Sequence, residues 1–316
     1  MDRFISEPRP IWSFCLVFCL HSVISTPLKS QEPIRTLHHP HTVYWVDVSD
    51  NGKYIYSAGK DTVGRVWTMQ GKEQVQLLGH ESSVSSILRI EKGKRIITGA
   101  YDNTAAIWNH KGKLLHRLTG HTNGVINLAV SEADQIICTV SRDKTAKLWD
   151  FKGKLIATLE GHTEQVNYAL FLPERKQVIT GSFDGSIRFW DYQGKQLKSF
   201  SPPNTSGIRV LTFSPDGKRI YAGHRDGTIT YSTIEGKFIG KTQAHGEMIG
   251  QILFRENGQI ITASGEQEIK VWDSKLKLVT SWKAHDSYVA SIALHGNTLI
   301  SCSGDETVKV WRLKED

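Results

Sequence analysis

Six histidines and six acidic residues recur along this chain in a pattern that first suggests chemistry. His39, His80, His121, His162, His245 and His285 are each followed by a carboxylate, at Asp61, Asp102, Asp143, Asp184, Glu266 and Asp305. Imidazole and carboxylate are the side chains of general acid–base catalysis and of metal ligation. Each pair also travels with a hydroxyl residue and a tryptophan: Ser57 and Trp67, Thr98 and Trp108, Thr139 and Trp149, Thr180 and Trp190, Thr262 and Trp272, Ser301 and Trp311. A catalytic or metal centre needs its groups to converge in one place. Here the same four residue types return once per repeat, so each set is held apart from the next. The recurrence therefore favours structural cross-links, because a buried carboxylate or indole N–H must find partners or carry a heavy desolvation cost.

What positions these residues is a period of about 41 residues. The histidine position falls at His39, His80, His121, His162, Asn204, His245 and His285, in steps of 41, 41, 41, 42, 41 and 40. Gly120-His121 runs through Val125 to Thr139, Asp143 and Trp149-Asp150, and Gly161-His162 runs likewise through Val166 to Thr180, Asp184 and Trp190-Asp191. A fixed period of this size signals a repeat architecture, and the Gly-His to Trp-Asp grammar reads as a four-stranded propeller blade. In blade four, Gln165 to Leu172 reads as an inner strand, Gln177 to Gly181 as a second, Ser186 to Trp190 as a third and Gln196 to Phe200 as an outer strand. Turn sequences such as Asp50-Asn51-Gly52 and Lys111-Gly112-Lys113 separate such strands, since Asn, Asp and Gly tolerate positive φ.

On these motifs the chain resembles the WD-repeat β-propeller family from about Gln31 to Asp316. The resemblance implies an all-β fold, a seven-bladed β-propeller of four-stranded antiparallel blades. It also implies that each histidine, hydroxyl, acid and tryptophan set is one structural hydrogen-bond network. The last repeat stops after its third strand, so the segment Glu32 to Leu37 is expected to supply the missing outer strand of blade seven and close the ring. Blade five, about residues 201–240, is degenerate: Asn204 stands for the histidine, Ala222 for the hydroxyl residue and Ser232 for the tryptophan, with only Asp226 kept. Either that blade has drifted because its neighbours hold it, or its altered rim serves a ligand. Asn204-Thr205-Ser206 is also a glycosylation sequon, meaningful only in a eukaryotic export pathway.

The repeat overrides the length prior that would divide 316 residues into two domains. The net charge of +7 raises the question of nucleic acid, but the lysines and arginines are scattered through the repeats rather than massed, so no nucleic-acid partner is expected. No nucleophile elbow, phosphate loop, zinc-protease motif or calcium loop is present. Ser49-Asp50-Asn51 and Ser141-Arg142-Asp143-Lys144 mimic fragments of a penicillin-binding signature, but both fall in blade turns. The chain is expected to be non-catalytic, with no cofactor and no metal.

Residues 1–25 lie outside the repeat. Arg3 and Arg9 precede an apolar run, Ile11 to Ser25, that is too short to span a bilayer comfortably and has the length of a signal-peptide core. The expectation is a signal peptide over 1–25, a linker over 26–31 and one propeller over 32–316, exported to a bacterial periplasm or envelope, with no membrane span once the signal is cleaved. A lipid on Cys19, an uncleaved anchor, or a cytosolic protein whose N-terminus only mimics a signal are the alternatives. Of the four cysteines, Cys138 and Cys302 remain after cleavage, in blades three and seven, too far apart to bridge.

In the resembled family, partners often dock on the face where inner strands begin. Mapped here, Tyr288, Tyr44 and Tyr101 fall on consecutive blades seven, one and two as an aromatic arc. Arg142, Arg209 and Arg225 add positive charge, and Lys60, Phe183 and Met248 complete the candidate surface. Tyrosine and arginine are enriched at binding hot spots. The expected function is a protein-interaction scaffold whose partner is a protein or peptide carrying an acidic residue. The rival reading is a propeller enzyme or carbohydrate-binding module acting on envelope glycan or peptide.

Overall fold

Strands rich in Val, Ile and Trp that are buried on both faces must be covered from two sides, and that requirement shapes this molecule. The computed structural model describes residues 31–314. Within them lie seven four-stranded antiparallel sheets, each ordered from an inner to an outer strand. Blade two is representative, with Val84–Ile90, Arg95–Ala100, Ala105–Asn109 and Leu114–Leu118 in that order. Its second strand is buried almost throughout, while its outer strand is largely exposed. Among the described residues helix is confined to two single 3₁₀ turns, Glu91–Gly93 and Pro173–Arg175. Among the described residues no helix is long and apolar enough to cross a membrane.

The core is a series of layers between blades. Cys138, Val140 and Leu148 of blade three pack against Val166, Val178 and Trp190 of blade four. Ile300, Cys302 and Val310 of blade seven pack in the same manner against Val43, Val46 and Trp67 of blade one. Blades approach closely where the second strand carries glycine: a Cβ on Gly99 would lie 2.8 Å from Val125 Cγ1 of the next blade. Cys138 and Cys302 are separate buried thiols, and burial pushes both well above the ordinary thiol range.

The ring closes through the N-terminal strand Arg35–His38. It pairs antiparallel with the last strand, Thr307–Arg312, in a register that sets Arg35 opposite Val310 and His38 opposite Thr307. Leu37 on this strand is buried in the layer between blades seven and one. The outer strands of blades one to six each carry a bulge opposite the third strand, as between Trp149–Leu155 and Leu148–Ala157 in blade three. Such bulges twist an exposed edge away from further pairing.

Relative to a chain beginning at Gln31, a chain beginning at His39 should melt at a markedly lower temperature, because it loses four paired residues and leaves a core leucine site empty. Thermal melts of the two chains test this, and equal midpoints would show that closure does not rest on Arg35–His38.

Candidate functional site

The histidine and acid sets form buried hydrogen-bond chains with one direction of donation. In blade three, Trp149 Nε1–H donates to Thr139 Oγ1 at 3.0 Å, and His121 Nε2 lies 2.7 Å from the same hydroxyl. Indole is a donor only, so the threonine hydroxyl keeps its own proton to donate to His121 Nε2. The remaining imidazole proton then sits on Nδ1 and is donated to Asp143 Oδ2 at 2.6 Å. Asp143 also accepts the Thr122 amide, the Thr145 amide and the Thr145 hydroxyl. The same chain closes in blade two with His80, Thr98, Asp102 and Trp108, and in blade four with His162, Thr180, Asp184 and Trp190. Blade six does so with His245, Thr262, Glu266 and Trp272, and blade seven with His285, Ser301, Asp305 and Trp311.

Blade one departs from the expected set. Trp67 Nε1–H donates to Ser57 Oγ at 2.8 Å, but His39 bonds neither Ser57 nor Asp61. Arg65 stands between them, its Nη1 3.1 Å from His39 Nε2 and 2.6 Å from Asp61 Oδ2, while His39 Nδ1–H donates to the His41 carbonyl. The cause is local. Pro40 follows His39 and has no N–H, whereas the residue after the histidine donates one in the other five sets. Val63 likewise has no hydroxyl where Thr104, Thr145, Ser186 and Thr307 supply one. Proline after the histidine is the sequence signal that could have revealed this.

Blade five replaces its missing histidine from a different strand. Asn204 is exposed in a left-handed turn with φ of 52°, and His224, at the end of Arg219–His224, is fully buried instead. His224 Nδ1–H donates to the Ser206 carbonyl at 2.9 Å, and the Thr230 hydroxyl donates to His224 Nε2 at 2.8 Å. The blade thus holds a substitute network that the period hid.

These sets do not converge, and among the described residues no three His, Cys, Asp or Glu are grouped to hold a metal. What converges lies on the axis. Every inner strand carries a β-bulge after its first residue, leaving one unpaired residue per blade: Tyr44, Ser85, Ile126, Asn167, Arg209, Gly250 and Ala290. A bulge re-aims the side chain it carries. Tyr44, Ser85, Ile126, Arg209, Gly250 and Ala290 line one cavity of about 430 Å³, together with Tyr101, Tyr288, Met248 and Glu247. Tyr44 and Tyr101 meet edge to face at 6.3 Å, and the Arg142 guanidinium lies 4.4 Å from the Tyr101 ring centre. Behind the mouth, Trp45 and Tyr168 reach across the channel with ring centres 6.3 Å apart, and Gln251 Nε2–H donates to the Tyr168 hydroxyl.

The candidate surface therefore divides. Tyr44, Tyr101, Tyr288, Arg209 and Met248 share the mouth, with Arg142 on its edge through Tyr101. Phe183 and Arg225 stack on each other at 4.8 Å as a separate pair over blades four and five. Lys60 is exposed beside blade one and does not line the mouth. Ile126, which the position in the repeat also puts on this face, lines the mouth, and Glu247 is a mouth residue that the sequence reading left out.

The chain matches the WD40 family, described as WD domain, G-beta repeat, over residues 31–68, 71–109, 112–150, 153–191, 194–230 and 276–312. The stretch left between matches holds blade six, where Glu266 stands for Asp. It is 34% identical over 85 residues to "Mitochondrial division protein 1" of Schizosaccharomyces pombe, covering 26% of this chain and 13% of that protein. It is 36% identical over 59 residues to "Nuclear distribution protein PAC1" of Tuber melanosporum, and 30% over 59 residues to "Nuclear distribution protein nudF" of Aspergillus terreus. Each of the last two matches covers 18% of this chain and 13% of the relative.

The networks carry a pH signature. Burial alone would raise the Asp102, Asp143, Asp184 and Asp305 carboxyls, but hydrogen bonds from histidine and from the following Thr or Ser outweigh it and hold all four well below the usual range. Burial also lowers His162 and His285, and takes His245 down to about 4. Burial and the Arg65 charge take His39 down to about 4. Both kinds of shift mean that the folded state binds fewer protons than the unfolded state, so each contributes stability that is lost as pH falls. The melting midpoint should decline as pH drops below 6.5, the ordinary imidazole value, and decline further below 3.8, the ordinary aspartate value. A midpoint that holds or rises between about pH 7 and pH 5 would remove the neutral-histidine assignment.

Proposed function

The chain belongs to the WD40 family of WD-domain, G-beta repeats, and from that premise we propose that it is a non-catalytic platform that captures a protein or peptide over the channel mouth. WD40 propellers are generally protein-interaction scaffolds. The observation that carries the reading is the convergence of Tyr44, Tyr101, Tyr288 and Arg209 on one cavity of about 430 Å³. Tyrosine and arginine supply much of the energy at interface centres. The blades tie their rims down through the buried networks, through Arg65 in blade one and through His224 in blade five, so little ordering entropy is lost on docking. Glu247 is the one carboxylate among the mouth residues, and the histidines and acids that chemistry would need are consumed inside the blades. A rim bearing Arg142 and Arg209 suits a partner segment with an acidic residue.

The setting we propose is export, to a bacterial periplasm or envelope. Its support is Arg3 and Arg9 ahead of the apolar run Ile11 to Ser25, residues that lie outside those the structure describes. The relatives named above are fungal, and their named roles in division and nuclear distribution are not carried to this chain.

Affinity capture tests the platform. The wild-type chain should retain a protein that the Tyr44→Ala, Tyr101→Ala, Arg142→Ala variant loses by tenfold or more, while the two melt within a few degrees of each other. Asp143→Ala should show the reverse pattern, lowering stability by about 3 kcal/mol through the broken buried network while leaving the mouth side chains in place. Equal retention by wild type and triple variant would move the binding face elsewhere. Cell fractionation with N-terminal sequencing checks the setting: a mature N-terminus near residue 26 in the exported fraction is expected, and an intact N-terminus in the cytosol would overturn it.

A further inference from the structure

Arg209 is the residue of the mouth with a sealed donor left unpaired. Its bulge position turns it toward the axis, where it lines the cavity with Tyr44, Tyr101 and Tyr288. Its Nη1 is sealed from solvent and has no hydrogen-bond partner, and no ion pair reaches the guanidinium among the described residues. Two other polar residues of the same ring are satisfied from within: Ser85 donates to the Val125 carbonyl at 2.7 Å, and Asn167 to the Ile208 carbonyl at 2.8 Å. The groups that bear electrostatically on Arg209 are the phenols of Tyr101 and Tyr168, with no carboxylate among them. Burial accordingly presses Arg209 below the ordinary guanidinium value. Arg209 as a whole is only partly buried, but sealing its Nη1 away without a partner or counter-charge is costly, and an apolar residue of similar volume avoids that cost.

We propose that Arg209 is an anchor for a single carboxylate that a partner inserts into the channel mouth. This rests on the reading of the mouth as the binding face and says what group it takes. A guanidinium fork accepts a carboxylate through two parallel N–H···O bonds. The phenol hydroxyls of Tyr44, Tyr101 and Tyr288 make no hydrogen bond with the described residues and are further donors at the same cavity. A neutral carbonyl would leave the buried charge uncompensated. A phosphate dianion would bring more charge than one buried cation balances, and it would face Glu247 on the rim. A methylated or free lysine is excluded by Arg209 itself and by Arg142 on the Tyr101 ring. The carboxylate can come from an aspartate or glutamate side chain or from a chain terminus, since the chemistry is shared.

The test uses the full chain with labelled arginine, the Nε–H signal of Arg209 being identified by its loss in Arg209→Met. N-acetyl-aspartate amide supplies a side-chain carboxylate and N-acetyl-alanine a terminal one. At constant ionic strength at least one of them should shift the Arg209 signal saturably, more strongly than inorganic phosphate does. Arg209→Met should also melt at least about 2 °C above wild type and lose captured partner tenfold or more. A signal that ignores both carboxylates, a larger response to phosphate, or a variant that melts below wild type would overturn the anchor. If Arg209→Met keeps the partner while the Tyr44, Tyr101, Arg142 variant loses it, the platform stands and the anchor falls. If the carboxylates bind but neither variant loses a partner, Arg209 is a carboxylate site that no partner uses, and the anchor and the choice of binding face fall together.

Discussion

No blade of this molecule can bury both of its faces by itself, and everything else follows from that. A second strand such as Ile136–Ser141 is buried along its whole length, which one four-stranded sheet in water cannot achieve. Each blade is completed by the next, and the series has no free end only when the seventh meets the first. The pairing of Arg35–His38 with Thr307–Arg312 thus places the two ends of the repeat array in one sheet, so that opening the ring and unpairing these strands become the same event. The unpaired edges that remain face outward and are bent by bulges rather than covered.

The buried networks solve a second problem created by the same geometry. Packing blades face to face strands the turns between second and third strands, where backbone amides and a carboxylate must leave water. In five blades one aspartate or glutamate gathers those donors, and histidine links it through a hydroxyl to the indole of the third strand. The donors run in one direction only when the histidine is neutral. Blades one and five show how tolerant the solution is. Losing one N–H to Pro40 and one hydroxyl at Val63 brings Arg65 in as a bridge, and losing a histidine from the entry loop of blade five brings in His224 from the adjoining strand.

Period and grammar made the architecture legible, because each blade repeats its solution at nearly constant spacing. Blade number, strand order and the closing strand all follow from that repetition. The networks of blades two, three, four, six and seven were legible for the same reason. Arg65 and His224 were not, because each is a compensation, and compensation is visible only once the missing partner has a position in space. The channel mouth was half legible. Tyr44, Tyr101, Tyr288 and Arg209 could be placed on one face by counting from the histidines, but the bulge that turns Arg209 inward is a matter of ladder register. Nothing in residue type separated Arg209, whose Nη1 is sealed at the mouth, from Arg225, which stacks on Phe183 elsewhere.

A ring of repeats has a freedom that a single-core domain lacks. Stability is spread over seven similar interfaces and several redundant networks, so no one axial residue has to contribute to it. The bulge positions are where this freedom is largest, since each is unpaired in its ladder and six of the seven line the channel mouth. Across the seven blades they hold a tyrosine, a serine, an isoleucine, an asparagine, an arginine, a glycine and an alanine, a variety unlike the near identity of the buried positions. Ser85 and Asn167 spend their polar groups on neighbouring backbone, which ties blades together. Arg209 does not, and it occupies the position at a cost that the fold gives no reason to bear. A residue that weakens the free protein where the scaffold imposes no requirement is best understood by what it does in a complex, where a carboxylate turns the same buried charge from a liability into a source of affinity and selectivity.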